Sequence, residues 1–469
     1  MARWPSGTDA KRDLINGFDG NKKEVYIIFN RTGFVKNRAR FFMNKSLLLI
    51  LWLPCLAVIA LSVPHRSYSA DAANVRLVGH SGLQGRDALQ VVLKGNYAYV
   101  GHHRGREMNP LTGAVEWNGT TILDVSNPGQ PRVIKHIPGY EGAESRAVQV
   151  VERYFDGRDY LLRNQESSHF TGFEVWDITD RPSPRLISKI EGLHAAHKGW
   201  WDVETGYAYL SGIWPGWKGQ HLIIYDLKNP YTPKFVSNWG LPGQSPGEPG
   251  SGVSLHHPVI SGDRAYLSYL RGGDVVILDI ADKSQPKMIA HVDFLPPSTR
   301  SHTTVPFPPL RGPGFSRSEG HPGQVLVVSE EALTFGCQED RPQIYILDAT
   351  DEKKPRLIAT FKVPDGDFCA RGGRFGPHQF AETKDGKIIG GSLLYVAYFN
   401  AGLRIVNTSD PFKPREVGHY IPAPAEKNRE GRGSKKVIQT NDVDLDGRGL
   451  IYITDRAGAG LHILQFTGK

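Results

Sequence analysis

The chain has 469 residues, with 52 glycines, 32 prolines and a formal charge of +8. The charge is local: residues 1–72 carry 11 Lys or Arg against 5 Asp or Glu, whereas residues 73–469 carry 45 against 43. So neutral a body gives no electrostatic reason to expect nucleic acid as a partner, and so much Gly and Pro suits short strands and tight turns.

Residues 1–42 are polar, mixed in charge and free of repeats. Residues 43–72 read as a signal peptide: a positive start at Met43-Asn44-Lys45, an apolar stretch from Leu47 to Val63, and a small-residue cleavage site at Ala70-Asp71-Ala72. Seventeen residues holding Pro54 are short for a transmembrane helix, so cleavage is the expectation and a membrane anchor at 47–63 the alternative. The 42 residues ahead of the apolar segment point to Met43 as the start of translation. The mature chain is then 73–469, periplasmic or secreted, with no transmembrane span.

From there one phrase recurs seven times. It is Thr121-Ile122-Leu123-Asp124-Val125-Ser126-Asn127-Pro128 in its first copy, then Phe173 to Pro182, Leu222 to Pro230 and Val275 to Ile280. It returns as Ile344 to Ala349, Leu403 to Thr408 and Leu461 to Phe466. The anchors Asp124, Asp177, Asp226, Asp279, Asp348, Asn407 and Gln465 lie 49 to 69 residues apart. Each copy is an apolar β run, a polar Pro-containing turn and a second β run, which predicts a hairpin. Two more strands precede each hairpin, as in Ala88-Leu89-Gln90-Val91-Val92-Leu93 and Tyr97-Ala98-Tyr99-Val100. Four strands repeated seven times predict an all-β fold, a seven-bladed β-propeller. The last hairpin lacks a fourth strand, and Val75-Arg76-Leu77-Val78-Gly79-His80 has the form of one, so the N-terminal strand is expected to close the ring. Two β-sandwiches are the alternative, but seven like units divide poorly into two.

The hairpin phrase resembles the LVIVD repeat family, and the resemblance covers nearly all of the chain after residue 74. It implies a secreted or surface β-propeller and says little about activity, because fold does not fix function.

Cys337 and Cys369 remain after cleavage. An even count in an exported chain predicts a disulfide closing the ends of the fifth hairpin, against two free buried thiols. In a propeller the first strand of each blade lines the axis. The residues at those starts are Asp87, Arg146, His197, His257, His302, His378 and Asn441. His197, His257, His302 and His378 come from adjacent blades and are the candidate ligands of one transition metal, Fe, Cu or Zn. His256, His194 and His103 are close enough to stand in for any of them. Asp87, Glu166, Glu330 and Glu331 are candidate acceptors for the free ring N–H groups. A polar, water-lined channel without metal is the competing reading. The layout looks like the axial four-histidine iron site of carotenoid cleavage oxygenases, without a shared motif. Methanethiol oxidase and selenium-binding proteins are a further likeness, but their cysteine motifs are absent.

Weaker signals are a calcium-loop opening at Asp442 to Gly447, better read as a turn, and a Pro and Gly stretch from Phe307 to Gly323. Trp200, Trp201, Trp214 and Trp217 form a cluster, and Arg371 and Arg374 precede His378. The function expected is an exported propeller with an axial histidine metal site, as a metal-dependent oxidoreductase. The alternative is a non-catalytic propeller binding a protein or glycan at its rim. The catalytic residues, the small-molecule, protein or glycan ligand and the oligomeric state stay open.

Overall fold

The computed structural model describes residues 70–468 apart from 251, 294–299, 311–322, 385–386, 389–390 and 431–434. The upstream segment 1–42 and nearly all of the expected signal peptide therefore lie outside the described residues, as does most of the Phe307–Gly323 stretch.

The fold is a seven-bladed propeller of antiparallel sheets. The inner strands, in blade order, are Val91–Lys94, Val148–Val151, Ala195–Trp201, Ser254–Ser261, Ser301–Leu310, Gln379–Phe380 and Thr440–Leu445. Each packs against the next, and the seventh packs against the first, so the ring is closed. The hairpin phrase forms the third strand of each blade. Its apolar run is buried on both faces, as in Val275 to Leu278, because sheets press on it from both sides. That is why the phrase reads as a continuous apolar run rather than as an alternation.

The anchor residue has a local cause. The side-chain oxygen of Asp124, Asp177, Asp226, Asp279, Asp348 and Asn407 accepts the backbone N–H two residues on, at 2.8–3.0 Å. A short carboxylate or amide reaches this far and no further, which selects Asp or Asn. Gln465, one methylene longer, instead accepts from Arg76. A register shift follows at the same place in every blade, between Ile122 and Leu123, Ile277 and Leu278, Ile346 and Leu347, and their equivalents. Such a bulge twists the outer strand and spoils it as a template for edge-to-edge pairing.

Val75–Ser81 pairs with Gly460–Phe466 and supplies the missing outer strand of the seventh blade. At this seam a Cβ on Gly79 would lie 1.9 Å from the Pro128 carbonyl oxygen, so only glycine lets the first blade's turn close on the last blade. The inner side of the seam is closed by carboxylates: Asp442 accepts Val91 N–H at 2.8 Å and Asp444 accepts Leu93 N–H at 2.9 Å. Their place in an inner strand accounts for the apparent calcium motif, and Asp446 caps the following turn through the Arg448 and Leu450 amides. Asp71–Ala73, which spans the cleavage position read from the sequence, pairs as a fifth strand on the sixth blade.

Cys337 and Cys369 form a disulfide across a separation of 32 residues. It joins the loop before the fifth blade's third strand, Ile344–Asp348, to the segment that leaves its fourth, Arg356–Phe361, and enters the sixth blade. Closing a loop of that length contributes about 3–4 kcal/mol in the chain-entropy account. The Cys337→Ser/Cys369→Ser variant is expected to lose stability of that order, read as a lower unfolding midpoint in denaturant. The tryptophan cluster is packing: Trp200 and Trp201 are buried in the core, Trp214 packs on Phe235, and Trp217 stacks on His221 with centroids 4.0 Å apart. Among the described residues no helix is long and apolar enough to cross a membrane.

Candidate metal centre

Four histidine rings form an arc on the axis. His197 and His256 have centroids 4.5 Å apart, His256 and His302 3.9 Å, and His302 and His378 4.0 Å. Three of the four residues expected from sequence therefore meet, and the fourth blade supplies His256 in place of His257. The reason is a bulge. Register shifts fall between Ala196 and Gly199, between Leu255 and His257, between Ser301 and Thr303, and between Thr440 and Asp442. The residues skipped by the ladder include His197, His256, His302 and Asn441, and a bulged residue is re-aimed out of the sheet. His257 resumes the pairing, opposite Ser268, and its Nδ1 lies 3.0 Å from a Glu382 carboxylate oxygen. The sequence held a cue to this. Counting three residues back from the buried Trp200, Val259 and Val305 gives His197, His256 and His302.

The hydrogen bonds fix how these rings present themselves. His378 donates from Nδ1 to the Asn441 carbonyl at 2.5 Å, and His256 donates from Nδ1 to the His302 carbonyl at 3.1 Å. A carbonyl only accepts, so both rings carry the proton on Nδ1 and keep a lone pair on Nε2. His302 Nδ1 lies 2.8 Å from Thr303 Oγ1, and that hydroxyl donates onward to Gln379 Oε1 at 2.9 Å. Thr303 therefore accepts from His302, whose buried Nε2 has no partner. Backbone and hydroxyl oxygens thus play the part the sequence assigned to acidic residues.

Of those carboxylates, Glu331 is at the site. One donor atom each from His256, His302 and Glu331 lie within 4.8 Å of one another. Glu331 also sits 3.7 Å from His378 Nε2 and accepts from Arg374 at 3.0 Å. Glu330 instead accepts from the Gln343 amide and the Tyr345 hydroxyl. Asp87 accepts from the His103 amide and from Asn118, while Glu166 forms a bridge with Glu144. His103 pairs with Glu144, and His194 is exposed; neither joins the arc.

Burial holds His197, His256, His302 and His378 well below the usual histidine range, reinforced by neighbouring cations and imidazoles. They are neutral near pH 7, the form that coordinates metal. Burial raises Glu331, while Arg374, Arg456 and Arg146 pull it back toward ionisation. The rings open into a cavity of about 260 Å³, also lined by Leu89, Leu270, Leu333 and several cations. Arg374 is seated by Gln439, which accepts its amide N–H at 3.0 Å and donates to its carbonyl at 3.1 Å. Arg371 pairs instead with Asp367.

Next in sequence to an arc residue or to Asn441 come Lys198, which lines the same cavity, and His257, Thr303, Gln379 and Asp442. Gln379 donates to Glu382, so hydrogen bonds run from His302 through Thr303 and Gln379 to the Glu382–His257 pair. A second cavity of about 240 Å³ opens on Glu382, Asp442 and Asp444, and Gln90 lines both cavities.

Burial raises Asp442 to about 7, Lys198 opposing it and Glu382 adding to it. The folded ring therefore holds this proton more tightly than the unfolded chain. The stabilisation is fully present below the ordinary carboxylate range and is lost as pH rises through about 7. Asp442→Asn keeps an oxygen for the Val91 amide and removes the charge. Its unfolding temperature should exceed that of the parent at pH 8 and converge with it near pH 4, a gap of a few kcal/mol.

Fold and axis together define the class of protein: a β-propeller with a histidine-lined centre. Residues 85–105, 114–136, 259–293 and 388–421 match the LVIVD repeat, four times along a seven-bladed propeller. No curated protein matches it. Among solved structures it is similar to a protein from Lactobacillus plantarum, at 11% identity over 78% of this chain and 87% of that one, with a TM-score of 0.47. It is also similar to the periplasmic gluconolactonase of Pseudomonas aeruginosa, at 13% identity over 76% and 98%, with a TM-score of 0.46. At that level neither likeness bears on activity.

Proposed function

We propose that the protein is an exported propeller whose axial histidines hold one transition-metal ion, Fe, Cu or Zn, and that it works there as a metal-dependent enzyme, an oxidoreductase if the ion is Fe or Cu. The observation that carries this reading is the shared orientation of His256, His302 and His378. Each has its Nδ1 proton engaged by an oxygen, and Glu331 stands among them, 3.7 Å from His378 Nε2 and within 4.8 Å of one ring nitrogen each of His256 and His302. His197 completes the set. A histidine-rich donor set with one carboxylate suits these metals. Bound there, such an ion supplies Lewis-acid activation or one-electron chemistry. The chain's own residues hold the imidazoles in one tautomer and orient Glu331 through Arg374. Export is supported by the disulfide, which belongs in an oxidising compartment, and by the signal-like segment 43–72, with 73–469 as the mature domain.

Residues 73–469 purified from the periplasm, without chelator or metal-affinity tag, should contain about one equivalent of one such metal. Protein that stays metal-free even after incubation with each ion would remove the proposal. The second reading, a non-catalytic propeller binding at its rim, would then take over. It is favoured by a hairpin inserted in the first blade, Arg106–Asn109 and Ala114–Trp117, which exposes Met108, Leu111 and Val115.

A further inference from the structure

The cavity above the histidines is unusual in its charge. Its lining holds four cations, Arg146, Lys198, Arg374 and Arg456, and one carboxylate, Glu331. Some of this charge is met from behind: Arg146 pairs with Glu144, and Arg374 and Arg456 share Glu430. Lys198 has no such direct partner: it is 7% exposed and its ammonium makes no hydrogen bond or close ion pair among the described residues, with the Asp442 and Glu382 carboxylates acting on it only from farther off. The Nε atoms of Arg146 and Arg374 are likewise buried without an acceptor. A buried ammonium or guanidinium N–H without a partner costs free energy, so such groups persist where something else satisfies them. The apolar part of the lining is Leu89, Leu270 and Leu333.

We infer that this cavity binds a small organic anion, its charged head on Lys198, Arg146 and Arg374 and a short apolar body against the leucines. The inference deepens the reading of the metal centre by naming the class of substrate, and it draws on the same cavity without depending on the ion. At about 260 Å³ the space lies below the range of drug-sized pockets, so the ligand is small. Guanidinium groups suit carboxylate and phosphate oxygens alike. The leucine lining distinguishes an organic anion from inorganic phosphate.

Isothermal titration calorimetry with butyrate, its neutral analogue butyramide and inorganic phosphate tests this, on protein as purified and after metal removal by chelator. Butyrate should bind in both states, with butyramide weaker by about tenfold or more. Lys198→Met, which keeps the bulk of the side chain, should weaken butyrate by a similar factor, and Arg146→Gln should act in the same direction. Equal binding of butyramide and butyrate would overturn the inference, as would tighter binding of phosphate than of butyrate. Butyrate binding that vanishes with the metal and ignores Lys198→Met would also overturn it, since the ion would then be the anion's partner. Metal-free protein that still binds butyrate through Lys198 would keep the inference while the metal proposal fell.

Discussion

Alanine at His256 is expected to lower bound metal from about one equivalent to less than about a tenth, whereas alanine at His257 should leave it near one. The two residues are neighbours in sequence and both are buried. His256 is the bulged residue, packed between His197 and His302, with its Nδ1 proton on the His302 carbonyl. Losing it removes the ring at the middle of the arc and frees that carbonyl. His257 rejoins the ladder and pairs with Glu382. Metal analysis beside circular dichroism of each variant separates loss of the site from loss of the fold. Metal lost from the His257 variant and kept by the His256 variant would show that the ring had been assigned one residue out of step.

The largest effect on stability is expected at Arg163, in the second blade. It is fully buried, donates to Glu174 at 2.9 Å, and reaches back to the Ile137 and Pro138 carbonyls of the first blade at 2.9 and 2.8 Å. One side chain thus joins two blades. Arg163→Met would leave Glu174 charged and buried, held only by neutral donors such as Tyr140 and Trp176. Breaking a buried pair in this way costs about 3–5 kcal/mol, while Arg163→Met/Glu174→Leu should recover part of the loss. Denaturant unfolding of both variants measures the difference. If the double variant proved no more stable than the single, the carbonyl contacts rather than the stranded charge would set the cost.

The propeller was legible because its cause is local and repeated. Asp124 and its equivalents cap a turn within two residues, and the apolar run before each is buried on both faces, so seven copies reveal seven blades. The closing strand at Val75 could be read for the same reason, by its likeness to the other outer strands. The candidate site was less legible. Aligning strand starts singled out His197, His302 and His378, whose rings meet in the arc, but that alignment assumes an unbroken alternation of side chains. The bulge at Leu255/His257 inserts one residue, and one residue changes which histidine faces the axis. Glu331 stood among four candidate carboxylates, and nothing in sequence separated it from Glu330, which turns toward Gln343 and Tyr345.

The sequence by itself determined the repeat, the blade count, the pairing of Cys337 with Cys369 and a band of histidines at the inner strand starts. These follow from contacts within a few residues or from a periodicity that any copy displays. The tertiary structure alone decided that Nδ1 of each of three histidines is engaged, that Glu331 joins them, and that Lys198 is buried without a direct ion pair. Those facts depend on which strand of one blade lies beside which strand of the next. The groups involved lie tens of residues apart in the chain, and only closure of the ring brings them together.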